Sequence, residues 1–356
     1  GSDIFIAKNY SSPHFLSNGL TNYDYEVLLH ELGHAMGLKH PFEGDRNNTL
    51  TLSINEDKTI FTAMSYNDDP STFDGKFRPL DLMALTKLYG VNPEFNKADD
   101  IYGFNKNGGT FIIDGNGIDT IMAEDSTQNI FIDLRPGTHS HKGQKSNFIT
   151  DSNQLTIAHG SELENVITGL GDDTIIGNYL DNKIISAAGG DNIFAGEGID
   201  IVYQGSGRNI IDLSEDTQVI DKVILEKNEQ NESFDIVYGF CQGAEGDIID
   251  LASYRDIELM LLPNIDILDV PIGYIDNCIA RVFGQNLFDA KILESQFDSM
   301  GSLQSLNISN NSAAIFITAN SQSTGEIQNI YNVSNDGGSI NVTHLMQLTG
   351  NYLDLD

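Results

Sequence analysis

His30, Glu31, His34, Gly37 and His40 are spaced so that three imidazoles and one carboxylate can gather around a single metal ion. Histidines four apart on a helix project from one face about one turn from each other, so both reach a shared cation. Glu31 stands beside them without competing as a ligand, placed to take a proton from a water that the metal activates. Gly37 tolerates the left-handed conformation that stops a helix, and the turn brings His40 back as third ligand. Three neutral imidazoles leave one coordination position open, the pattern of a catalytic zinc site rather than a closed structural one. The chemistry implied is hydrolysis, with Glu31 as general base. A bare H-E-x-x-H arises by chance. The extended H-E-x-x-H-x-x-G-x-x-H fixes five positions and outweighs the alternative of buried core histidines.

The element that must carry these residues is a helix over Tyr23–Leu38, where Val27, Leu28, Leu32, Ala35 and Met36 fall at helical spacing and Asn22 or Asp24 can cap the start. Further along, the composition turns to Gly, Asp and Asn with isolated aliphatic residues in a nine-residue period. Asp173, Asn182, Asp191, Asp200 and Asn209 are each followed two residues later by Ile175, Ile184, Ile193, Val202 and Ile211. That period predicts a parallel β-roll, whose glycine turns and aspartates coordinate calcium while the aliphatic residues fill a narrow core. The calcium candidates are Gly169, Gly171, Asp173, Asn182, Gly189, Asp191, Gly198, Asp200, Gly207 and Asn209. Successive units in phase, each with its aliphatic residue in place, weigh against a low-complexity linker.

The 356 residues suffice for two domains, and 40% apolar content provides for a buried core. Acidic residues number 52 against 19 basic ones, a net charge of −33 that repels nucleic acid and anionic membranes and calls for bound cations. No run of about 18 apolar residues predicts a membrane span, and the start at Gly1-Ser2-Asp3 has no signal-peptide character. Cys241 and Cys278 are too few to staple the chain; spacing alone does not decide whether they pair, and free or incidental thiols are expected. His14, His139, His141, His159 and His344 read as structural or exposed, with only His139 and His141 close enough in sequence to suggest a shared ligand.

Further segments give these features a family likeness. Ala63-Met64-Ser65-Tyr66 lies downstream of the histidines, Pro41 follows the third of them, and Pro79-Leu80-Asp81 opens a second helical stretch. Ile101–Asn105, Asp114–Asp119, Leu155–Gly160, Glu164–Ile167, Phe234–Phe240, Asp247–Tyr254 and Arg281–Gln285 add strand-like pieces. Together they resemble the serralysin-type metzincin zinc metalloproteases, which carry a repeats-in-toxin β-roll. The resemblance implies an α+β chain: the C-terminal part of a metzincin catalytic domain, zinc helix plus Met-turn, followed by an all-β parallel β-roll and β-sandwich-like domain. The implied boundaries are 1–98 for the catalytic part, 99–294 for the roll domain and 295–356 for an export-related extension. Met64 takes the Met-turn position. Tyr66 inherits the role of a further zinc ligand in the resting enzyme that swings to stabilise the tetrahedral intermediate.

In that family calcium lies between residues eighteen apart, so Asp173 with Asp191 is expected to be the best pair. Asn182 with Asp200 and Asp191 with Asn209 are expected to be weaker, because amides bring no charge. The resemblance implies a monomeric, secreted, extracellular endopeptidase acting on protein or peptide substrates, with zinc and several calcium ions as cofactors. It also implies one-step (type I) export, with calcium ordering the roll outside the cell, and a small periplasmic inhibitor protein as the kind of partner the family often has. The likeness fails at the start, where residues 1–29 alone precede the first ligand and most of the N-terminal subdomain with its substrate-binding edge strand is lacking. The competing reading is a calcium-binding surface or adhesion module with a vestigial protease site. A calcium-dependent lipase is disfavoured by the lack of a G-x-S-x-G elbow.

Overall fold

The computed structural model describes residues 21–44, 49–67, 69, 71, 73–216, 219–225, 235–240, 247–250, 272–276, 279–283, 312–320, 327–336 and 339–349. His14, Cys241 and Cys278 lie outside them. The chain divides into two compact units, Gly1–Asp119 with Pro136–Glu162, and Thr120–Arg135 with Leu163–Asp356.

Among its described residues the first unit holds two helices, α1 (Asn22–Ala35) and α2 (Pro79–Tyr89). Neither Asn22 nor Asp24 caps α1. Thr21 does, its Oγ1 accepting the Asp24 N–H at 3.2 Å while the Asp24 carboxylate takes the Thr21 N–H at 2.8 Å, so the two end groups satisfy each other. At the other end the Gly37 N–H bonds the His34 carbonyl at 3.0 Å and the Leu38 N–H the Gly33 carbonyl at 2.9 Å, with Gly37 at φ +98°. This paired closure stops the helix and reverses the chain toward His40.

The face α1 buries is not the expected apolar one: Leu32 is exposed, whereas Asp24, Glu26 and Gly33 are buried. The reason lies in what they meet. Asp24 closes the cap, Glu26 pairs with Arg78, and Gly33 lies so close to Met64 that an added Cβ would stand 2.5 Å from its sulfur. Strand Thr110–Ile112 pairs in parallel with Gln154–Ile157, which pairs antiparallel with His139–Lys142, and Ile112, Leu155 and Ile157 are fully buried beneath.

The second unit is mostly parallel sheet. Three-residue strands alternate between two sheets, so that Asn165–Ile167, Lys183–Ile185, Ile201–Tyr203 and Lys222–Ile224 form one ladder. Ile130–Asp133, Thr174–Ile176, Asn192–Phe194, Ile210–Asp212 and Asp235–Tyr238 form the other. The middle residue of each repeat strand, Ile175, Ile184, Ile193, Val202 and Ile211, is at 0% exposure, consistent with the β-roll expected from the period. Each such burial stabilises the unit by about 2 kcal/mol, spread evenly along the stack. The second ladder continues in parallel into Ser339–Thr349, which pairs antiparallel with Ile327–Asp336, itself antiparallel to Ser312–Asn320. Among the described residues no helix is long and apolar enough to cross a membrane.

Candidate metal centres

The third turn of α1 carries His30, the last carries His34, and the glycine closure returns His40 to both. The Nε2 atoms of His30 and His34 each lie 3.1 Å from Nε2 of His40. Their outer nitrogens are all occupied: His30 Nδ1 donates to the Ala63 carbonyl at 2.8 Å and His34 Nδ1 to the Leu38 carbonyl at 2.9 Å. His40 Nδ1 donates to Glu43 Oε2 at 3.0 Å. With the proton held on Nδ1, three Nε2 lone pairs face one another, which is repulsive unless a cation stands between them. Tetrahedral zinc bonded at about 2.0–2.1 Å places its nitrogen ligands roughly 3.3 Å apart, so the donor set fits the metal. Burial lowers the pKa of His30, keeping it neutral as a ligand must be.

Tyr66 belongs to the same group. Its hydroxyl donates to His40 Nε2 at 2.8 Å, and its ring stacks on that of His30 at 5.5 Å between centroids. Glu31 is exposed and lines a cavity together with His30 and Tyr66. Met64, 2% exposed, lies under Gly33 of α1.

Three residues that the motif did not single out hold this floor in place. The Asp81 carboxylate accepts from Thr62 Oγ1 at 2.6 Å, from the Ala63 N–H at 2.7 Å and from the Arg78 N–H at 2.9 Å, tying the turn before Met64 to the start of α2. Burial pushes its pKa up, and these donors oppose the shift. Arg78 in turn reaches Glu26 on α1 at 3.4 Å and Asp74. Only their contacts reveal them, since the ties of Asp81 to Ala63 and Thr62 and of Arg78 to Glu26 span 18 to 52 positions.

The roll aspartates form a second system. The Asp191 carboxylate accepts the Asp173 N–H at 2.8 Å, Asp200 the Asn182 N–H at 2.7 Å, and Asn209 Oδ1 the Asp191 N–H at 2.9 Å, each eighteen positions apart. The ladder goes on beyond the residues the period identified. Asp221 serves Asp200 across 21 positions, Asp235 serves Asn209 across 26, and Asp247 serves Asp221 across 26. In Asp173, Asp191, Asp200 and Asp221 the second carboxylate oxygen is buried without a hydrogen-bond partner. Buried anionic oxygens left over in this way fit a hard divalent cation. Gly169, Gly171, Gly189, Gly198 and Gly207 lie in the intervening turns. At Gly189 and Gly207, with φ +136° and +125°, a Cβ would come within 2.1 and 1.8 Å of the carbonyl one coil away.

Asn182 and Asn209 differ from the aspartates. Asn182 Oδ1 accepts the Asn178 N–H at 2.9 Å and its amide donates to the Glu164 carbonyl at 3.0 Å; the Asn209 amide donates to the Gln204 carbonyl at 2.8 Å. In the first unit, Asp100, Asp114 and Asp119 place carboxylate oxygens within 4.8 Å of one another, and Tyr102 donates to Asp114.

No protein-family model matches the chain. It is similar to a serralysin of Proteus mirabilis, 34% identical over 216 residues, covering 52% of this chain and 42% of the relative. It is also similar to the metallopeptidase AprA of Pseudomonas marginalis, 31% over 215 residues with 52% and 43% covered, and to serralysin G of Dickeya chrysanthemi, 30% over 200 residues with 49% and 41%. The chain is thus a homologue of the serralysin-type metalloproteases over about half its length, and it spans less than half the length of these relatives.

Proposed function

We propose that this homologue carries the catalytic centre of a secreted zinc endopeptidase, of metzincin type, whose second unit folds around calcium. The observation that carries the reading is the convergence of three Nε2 atoms, each with its Nδ1 proton committed elsewhere, beside the exposed carboxylate of Glu31. Zinc held there by His30, His34 and His40 supplies Lewis-acid polarisation of the scissile carbonyl and a lowered pKa for the attacking water. Glu31 takes the proton from that water and delivers it to the leaving amine. Tyr66, its hydroxyl already among the ligand nitrogens, donates to the oxygen that becomes negative in the transition state. Met64, pinned through the Asp81-bound turn, supports the histidines from below.

Calcium would be held best between Asp173 and Asp191 with turn carbonyls, and more weakly by Asn182 with Asp200 and by Asp191 with Asn209, where an amide replaces a carboxylate. It orders the roll once the chain has left the cell by type I export, before which the acidic charge opposes collapse. Substrates are proteins or peptides, the working form is a monomer, and a small periplasmic inhibitor protein is the expected partner. The test is caseinolysis by the full-length protein: activity abolished by a zinc-selective chelator and restored by stoichiometric zinc supports the reading, and activity indifferent to chelation refutes it.

A further inference from the structure

The three ligand histidines are not held alike. His30 and His34 ride on α1, whose backbone fixes where their Cβ atoms point, and their Nδ1 atoms meet main-chain carbonyls, of Ala63 at 2.8 Å and of Leu38 at 2.9 Å. His40 has neither support. It follows the Gly37 closure, outside the helix, and its Nδ1 meets a side chain instead, Glu43 Oε2 at 3.0 Å.

The segment that carries His40 folds back on itself. The Glu43 N–H bonds the His40 carbonyl at 3.3 Å, so His40-Pro41-Phe42-Glu43 is a turn closed between its first and fourth residues. Proline suits the second position of such a turn, because its ring presets the backbone angle required there. Pro41 is buried, and its carbonyl accepts the Leu52 N–H at 2.8 Å, which ties the turn to the segment beside it. Two side chains of the turn then bracket the imidazole. The Phe42 ring lies nearly parallel to it, 7° apart in plane and 5.1 Å between centroids, while the Glu43 carboxylate takes its Nδ1 edge. A carboxylate acceptor differs in kind from a carbonyl: it draws the Nδ1 proton more strongly and leaves Nε2 the more electron-rich donor. The Glu43 side chain is 63% exposed, so its removal takes away this bond without opening a cavity.

We propose that Glu43 is a positioning residue for His40, which it orients and makes a stronger donor from one edge while Phe42 backs the ring, so that the ligand on the loop is set by its own turn. The inference rests on the zinc reading of the three-histidine site. Glu43 acts through His40, not on the reacting atoms.

The test compares the full-length wild-type protein with Glu43→Ala, Glu43→Gln and, as a control for the loss of one negative charge, Glu94→Gln, whose carboxylate pairs with exposed Lys97. Zinc dissociation constants are measured by competition with a chromophoric chelator, visible spectra are recorded on cobalt-loaded protein, and melts of zinc-free samples check folding. Zinc affinity is expected to fall roughly 10–100-fold in Glu43→Ala, the range for lost partners of ligating histidines, and by less in Glu43→Gln, which keeps an acceptor and loses the charge. The cobalt bands should move in Glu43→Ala, and Glu94→Gln should match the wild type in both readings. Unchanged affinity and spectrum in a folded Glu43→Ala overturns the proposal. So does an equal loss in Glu94→Gln, which would make the effect one of overall charge. If Glu43→Ala does not fold, the same comparison is read on Glu43→Gln. A wild-type protein that binds no zinc counts against the metal-centre reading itself, and the inference falls with it.

Discussion

Among the residues, the proposed chemistry leans on a single hydroxyl, that of Tyr66 beside His40 Nε2. Its ring is 62% exposed, yet it is anchored by stacking on His30 and by contacts with His40 and Phe42 at 4.7 and 5.0 Å between centroids. Tyr66→Phe keeps those ring contacts and loses only the donor. The expected outcome is unchanged zinc content and KM with kcat lower by about 100-fold, as for removal of one oxyanion donor. A fall in zinc content instead would assign the hydroxyl to metal retention. At this scale the sequence was legible wherever function depends on short spacing, as with His30, Glu31, His34 and His40. It assigned no role to Asp81, Arg78 and Glu26, whose ties to Thr62 and to each other's helices span 19 to 52 positions and whose residue types are unremarkable at a helix start or on a helix surface.

Among the elements, α1 was recognisable by period but not by the side it buries. The cap proved to be Thr21, and the buried face is set by Met64 under Gly33 and by the Glu26–Arg78 contact, none of which an apolar stripe reports. The roll was legible because a nine-residue period in the chain becomes an eighteen-residue spacing in the ladder. Past Asn209 the spacing lengthens, the phase breaks, and only structure reveals that Asp221, Asp235 and Asp247 extend the same hydrogen-bonded ladder. Within that ladder Asn182 differs from its aspartate neighbours, since its amide group donates to carbonyls at 3.0 and 3.1 Å from Glu164 and Asn178 and leaves no anionic oxygen over. Asn182→Asp restores the charge and removes that donor. Calcium titration by calorimetry should then show one more high-affinity ion, or tightening of a weak one by about tenfold or more; an unchanged isotherm would mean that this turn holds no cation.

For the whole molecule the dominant fact is the charge of −33 and where its buried part sits. Burial raises the carboxyl pKa to about 7 in Asp191, Asp221 and Asp235 and to about 9 in Asp200, against an ordinary 3.8. A carboxyl raised in the folded state binds protons more tightly there than in the unfolded chain. The calcium-free fold therefore loses stability as pH rises from about 4 through about 7 to 9, and regains it on acidification. Calcium inverts this, because it binds the ionised form and must displace those protons. In chelator, the melting temperature of the second unit should fall between pH 5 and pH 9, while the gain on adding calcium should be larger at pH 8 than at pH 5. A calcium increment that grows on acidification would contradict this assignment of the buried aspartates.

The central claim is that the three-histidine site with Glu31 performs peptide hydrolysis, and the most direct measurement compares casein turnover by the full-length wild-type protein and Glu31→Ala at equal zinc content. The account predicts zinc retained in both and turnover lowered by about 10²–10⁴-fold in the variant, the span expected for loss of a general base. Equal turnover in the two proteins, each carrying one zinc, would contradict it.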